Sequence, residues 1–174
     1  MKILGLTLAL SIASLLSVSA SAAIDYKKIT VDNCKSNEYS SINFCDEKAL
    51  KKVAELADRK PNLAGKSVFM RFWDKETNAW RQVALNKETN TLHTMHKSIS
   101  SRGKNPRNVT MTVEGNKICG IGNDLHYKGS YVGMDFDDSS DDYDYCVKYD
   151  PNEGFGVTIE VDGKTRAYVD TLPY

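Results

Sequence analysis

The sequence predicts an α+β domain: one N-terminal amphipathic helix packed on a mainly antiparallel sheet of six to eight strands. Three observations carry this. One apolar stripe has helical spacing, at Ala49, Leu50, Val53, Leu56 and Ala57. After Gly65 the period changes to two, with Val68, Met70 and Phe72 alternating against Phe69 and Arg71. Turn signals then divide the chain at short intervals, the clearest being Asp162-Gly163.

Each element follows from local chemistry. Residues 26–31 predict a short strand. Asn43 is placed to cap the helix, with Asp46 three residues on in the capping-box position. Lys60-Pro61-Asn62 stops it, because proline cannot continue a helix. Residues 67–73, 80–85 and 91–98 read as three successive strands, with Trp73, Trp80, Phe69 and Phe72 as large core or sheet-face residues. Residues 108–113 and 117–121 form a hairpin around Glu114-Gly115-Asn116. Residues 122–144 are a long Gly-, Asp- and Ser-rich segment. Residues 145–149 are a strand, and residues 156–161 and 165–171 are the last hairpin.

The first 22 residues stand apart. A single Lys2 precedes an apolar run over residues 3–16, and Ala20-Ser21-Ala22 ends it with small side chains. That is the pattern of a secretory signal peptide. The expected organisation is residues 1–22 as the signal and residues 23–174 as a single secreted α+β domain. The apolar run is shorter than the ~20 residues that span a bilayer, so no stable membrane anchor is expected. The expected location is extracellular, or periplasmic in a Gram-negative source.

Four cysteines in an exported chain favour two disulfides. The preferred pairing is Cys34–Cys45 and Cys119–Cys146, each closing a local loop. The crossed alternative ties Cys34 or Cys45 to Cys146. Zinc is disfavoured, since no two cysteines have C-x-x-C spacing.

Charge is unevenly spread. Residues 23–134 hold 19 Lys/Arg against 12 Asp/Glu, a net of +7, whereas residues 135–174 hold 3 against 11, a net of −8. The acid gathers at Asp135, Asp137, Asp138, Asp141, Asp142 and Asp144, with Tyr143 interleaved. Such a run is a solvated loop or a recognition surface for a basic protein partner. It is not an EF-hand: counted from Asp135, position 6 is Ser140 and position 12 is Cys146, so the turn glycine and the bidentate glutamate are both missing.

His93-Thr94-Met95-His96 lies on a predicted strand, where residues three apart point to opposite faces, so no shared metal site is expected. No metal or cofactor is predicted. No G-x-S-x-G nucleophile elbow occurs, and Gly120-Ile121-Gly122 lacks the lysine of a P-loop. Asn108-Val109-Thr110 is a glycosylation sequon if the source is eukaryotic.

Two further segments carry a resemblance. Pro106-Arg107-Asn108-Val109 looks like an arginine segment after a Gly/Pro loop, and His126-Tyr127-Lys128-Gly129 with Phe136 looks like a histidine loop beside glycines. Together with a helix placed before a sheet, this is similar to small fungal guanyl-specific ribonucleases and the secreted effectors built on their fold. The resemblance implies a scaffold that binds or cleaves RNA, with Arg107 and His126 in the cleft. Where that family carries a glutamate base, this chain offers Gln82, which cannot take a proton from a 2′-hydroxyl. The first expectation is therefore a secreted, non-enzymatic binding protein (an effector, inhibitor or immunity-type module) that engages another macromolecule, most simply a protein. The alternative is a small secreted hydrolase, most concretely ribonuclease-like.

Overall fold

The computed structural model describes residues 23–36, 40–99, 107–122, 130–131, 143–161 and 164–169. The predicted signal peptide and most of the acidic segment lie outside them. A 3-10 turn at Tyr26–Lys28 leads to β1 (Thr30–Val31), α1 (Glu47–Ala57), β2 (Ser67–Asp74), β3 (Ala79–Asn86), β4 (Thr91–Ile99), β5 (Thr110–Glu114), β6 (Lys117–Gly122), β7 (Ser130–Tyr131), β8 (Tyr143–Asp150), β9 (Gly154–Val161) and β10 (Lys164–Val169).

The α+β class holds, but the single sheet does not. The strands form a four-stranded sheet in the order β1-β4-β3-β2 and a six-stranded sheet in the order β5-β6-β8-β9-β10-β7. The physical reason lies in β2. Its residues Val68, Phe69 and Met70 are apolar in succession and all buried. A strand apolar on both faces needs a cover on each. Val68 and Met70 pack with Phe44, Val53, Ala54 and Ala57 on the helix side. Phe69 turns the other way, to Leu63, Ala84, Ile118 and Tyr149. The result is three layers: helix, four-stranded sheet, six-stranded sheet.

The helix is the one the stripe predicts, but it does not open the domain. β1 precedes it and pairs parallel with β4, Thr30 opposite Thr91 and Val31 opposite Leu92. Its start is also later than expected. Asp46, not Asn43, occupies the N-cap position, and its side chain makes no capping bond. Asn43 instead accepts from the Cys45 N–H and donates to Asp46 Oδ1. The cause is the Cys34–Cys45 disulfide, together with the Phe44 N–H donating to the Cys34 carbonyl, which hold residues 43–45 in a turn. Two exposed ion pairs, Glu47–Lys51 and Lys52–Glu55, decorate the outer face and add little. Burying Val53 alone is worth about 1.5–3 kcal/mol, so the stripe outweighs them.

The hairpins follow the sequence reading closely. β5 and β6 turn over Gly115-Asn116, with Glu114 opposite Lys117. Gly115 has φ +62, the left-handed first position that a two-residue hairpin of this kind requires. β9 and β10 pair from Val161 opposite Lys164.

Candidate functional site

β2 and β3 place Trp73 directly opposite Trp80, and Arg71 opposite Gln82, on the face turned toward the six-stranded sheet. The two indoles meet edge to face with centroids 5.1 Å apart. The Arg71 guanidinium lies 4.4 Å from the Trp80 ring centroid, and that of Arg107 lies 4.9 Å from Trp73. The four side chains thus form a ladder in the order Arg107, Trp73, Trp80, Arg71. Side-chain donors to backbone carbonyls lock it to the segment entering β5: Trp80 Nε1 donates to the Arg107 carbonyl at 3.1 Å, and Arg71 Nη1 to the Val109 carbonyl at 3.1 Å.

Arg107 is exposed, and both tryptophans are half-buried. Arg71 is half-buried too. Burial pushes its guanidinium below its ordinary value, and the Tyr145 phenol opposes that shift. Next to it, Gln82 is wholly buried, its amide nitrogen 3.8 Å from the Met111 sulfur and its Oε1 without a hydrogen-bond partner among the described residues. Gln82 is therefore sealed between the sheets, not set in an open cleft, which departs from the ribonuclease-like placement.

The ladder has a rigid back. On the opposite face of the same hairpin, Asp74 and Arg81 form an ion pair with neither side chain exposed. Asp74 also accepts from the Ser41 N–H and Oγ and from the Thr77 N–H. Burial pushes the Asp74 carboxyl up, but the hydrogen bonds from Ser41, Thr77 and Arg81 outweigh it and hold it at about 2.

A second polar cluster contains a histidine. His93 is buried and His96 exposed, as opposite faces of a strand require. His93 Nδ1 lies 3.3 Å from Asp32 Oδ2, and Nε2 lies 3.2 Å from the Pro151 carbonyl. Burial raises the Asp32 carboxyl, but His93 and the Thr94 and Asn33 N–H groups lower it further, so it ends below its ordinary value. The cluster ties β1, β4 and the β8–β9 turn together. Its histidine is buried.

Cys34 pairs with Cys45 and Cys119 with Cys146, as preferred. Arg107 joins the ladder. Asn108 is exposed beside it. Asp144 and Tyr143 open β8, opposite Ile121 and Gly122. His126, Asp135, Asp137, Asp138, Asp141 and Asp142 lie outside the described residues. No group of three or more metal-ligating side chains gathers among the described residues, and no helix among them is long and apolar enough to cross a membrane. Sequence reasoning missed Arg71. The signal was available: Arg71 and Trp73 are two apart on a strand and so share a face, and Trp80 returns across the hairpin. No family model, curated protein or solved structure matches the chain.

Proposed function

We propose that the chain is exported, loses residues 1–22, and acts as a non-enzymatic binding module of the effector, inhibitor or immunity type, engaging another protein. The observation that carries this reading is the Arg107–Trp73–Trp80–Arg71 ladder. Tryptophan and arginine dominate the energetics of protein interfaces, where rigid, half-buried side chains lose little entropy on binding. Here the ladder is braced by a buried ion pair and anchored by two hydrogen bonds to the segment entering β5. Both disulfides fit an oxidising compartment, which supports export. The acidic run from Asp135 to Asp144 would add long-range steering toward a basic partner.

The test is cross-linked capture from the extracellular milieu with wild-type protein and with Arg107→Ala. The variant keeps the backbone carbonyl that Trp80 uses, so the fold survives. A partner whose affinity falls about 30-fold in Arg107→Ala supports the reading, that being the cost of one interface hot spot. Equal capture by both proteins removes the ladder from the interface. Cleavage of RNA by the purified protein replaces the reading with a hydrolase.

A further inference from the structure

Among the described residues the two sheets have four edges; two of these edge strands are short, and a third is covered over its first half. β1 and β7 are two residues each. β2 has its outward groups at Ser67 and Phe69 already taken: Ser67 bonds with Asn62 and Leu63, the Phe69 N–H donates to Asn62 Oδ1, and the Phe69 carbonyl accepts from Arg59. β5 is different. It is five residues long and free of proline.

The hydrogen-bond parity of β5 follows from its turn. A two-residue loop makes Glu114 and Lys117 a hydrogen-bonded pair, so Thr110, Thr112 and Glu114 face β6 with their backbone groups. The disulfide gives the same parity independently. Cys119 and Cys146 have Cα atoms 4.0 Å apart, which is the spacing of a pair without hydrogen bonds, so Cys119 bonds on its other side, toward Thr112. The N–H and C=O groups of Met111 and Val113 therefore point away from the sheet. Among the described residues none of these four groups has a backbone partner. Their neighbours on the same edge are committed: the Val109 carbonyl accepts from Arg71, and the Gly115 carbonyl accepts from the Ala64 N–H.

We propose that β5 is a self-association strand, which a second copy of this chain extends antiparallel about a two-fold axis at Thr112. In that register Met111 exchanges both hydrogen bonds with the second copy's Val113, and Val113 with the second copy's Met111, so all four open groups of each chain are satisfied. Thr112 faces its own symmetry mate, and Thr110 faces the second copy's Glu114. These are favourable cross-strand pairs with no like charges opposed. The partly buried Met111 and Val113 side chains line up on the inner face, so the two six-stranded sheets join into one. A shift of two residues either way brings Val109 or Gly115 into the pairing, and both are occupied. An open edge limited to two residues and self-complementary in its one available register fits a second copy better than an unrelated strand.

The full chain with intact disulfides is examined by sedimentation equilibrium over a concentration series, with amide exchange read at Met111 and Val113. The expected result is a monomer–dimer equilibrium in which those two amides exchange more slowly as concentration rises. Thr112→Asp opposes two carboxylates at the axis and raises the dimer Kd about 10-fold or more, whereas Thr110→Lys meets Glu114 and lowers it by about 2- to 5-fold for each symmetric pair. Both positions are exposed, so both variants fold. A monomer mass persisting to about 1 mM overturns the proposal, that being the weak end of specific association. So does a dimer whose Kd neither variant moves.

Discussion

Arg81 Nη2 meets Asp74 Oδ2 at 3.1 Å in the interior of the protein, with neither side chain exposed. The Arg81 Nε–H donates to the same oxygen at 3.1 Å, and Nη2 also donates to Thr77 Oγ1. Asp74 closes β2 and Arg81 lies near the start of β3, so the pair staples the hairpin that carries Trp73 and Trp80.

Removing one member strands the other charge in the interior. Arg81→Met and Asp74→Asn should each cost about 3–5 kcal/mol, read as a fall in the urea midpoint. The double variant should cost well under the sum of the two, because no unpaired charge remains. Additive losses would mean that the two groups do not act as a pair.

The same carboxyl makes stability depend on acid. Its folded value, about 2, is below the ordinary 3.8. A depressed carboxyl contributes stability that is complete above pH about 4 and is lost as pH falls through about 2, amounting to about 2 kcal/mol. Asp32 is also lowered and adds in the same direction. Urea midpoints taken between pH 2 and 7 should fall on the acid side, and Asp74→Asn should flatten that fall. An identical acid profile in wild type and variant would assign the loss to other groups.

Gly154 opens β9 at φ +91, a conformation that side chains avoid, and a Cβ built there would lie 2.9 Å from His93 Nδ1. His93 cannot retreat freely, being held between Asp32 and the Pro151 carbonyl. Gly154→Ala should therefore lower stability by about 1–3 kcal/mol in thermal melts and shift the His93 ring resonances. A variant that melts with wild type and leaves those resonances in place would show that the β8–β9 turn adjusts without strain.

Reduction should separate the two disulfides by loop length. Chain-entropy reasoning gives about 3 kcal/mol for the separation of 11 and about 3.5 kcal/mol for the separation of 27. Cys→Ser pairs at each site, compared by denaturant midpoint, measure the two contributions. A larger loss at Cys34–Cys45 would show that this bridge also holds the start of α1.

Several features were legible along the chain because their causes are local. The helix stripe at Ala49, Leu50, Val53, Leu56 and Ala57 appears in the structure with its predicted inner face. Cys119 and Cys146 sit on strands whose alternation was readable, and they face each other across β6 and β8. The start of α1 was misjudged because a disulfide overrides a local cap. The second sheet was missed although Val68-Phe69-Met70 announces two buried faces, because nothing local says what covers each face.

Periodicity, turn chemistry and cysteine placement were written in the sequence alone, since backbone sterics and side-chain polarity act over a few residues. Tertiary structure decided the rest: the split into two sheets, the parallel pairing of β1, the burial of Arg81 against Asp74, and the meeting of Arg71 with Arg107 across one pair of tryptophans. These depend on which distant surfaces remove the most apolar area from water together, and short-range pattern does not encode that sum.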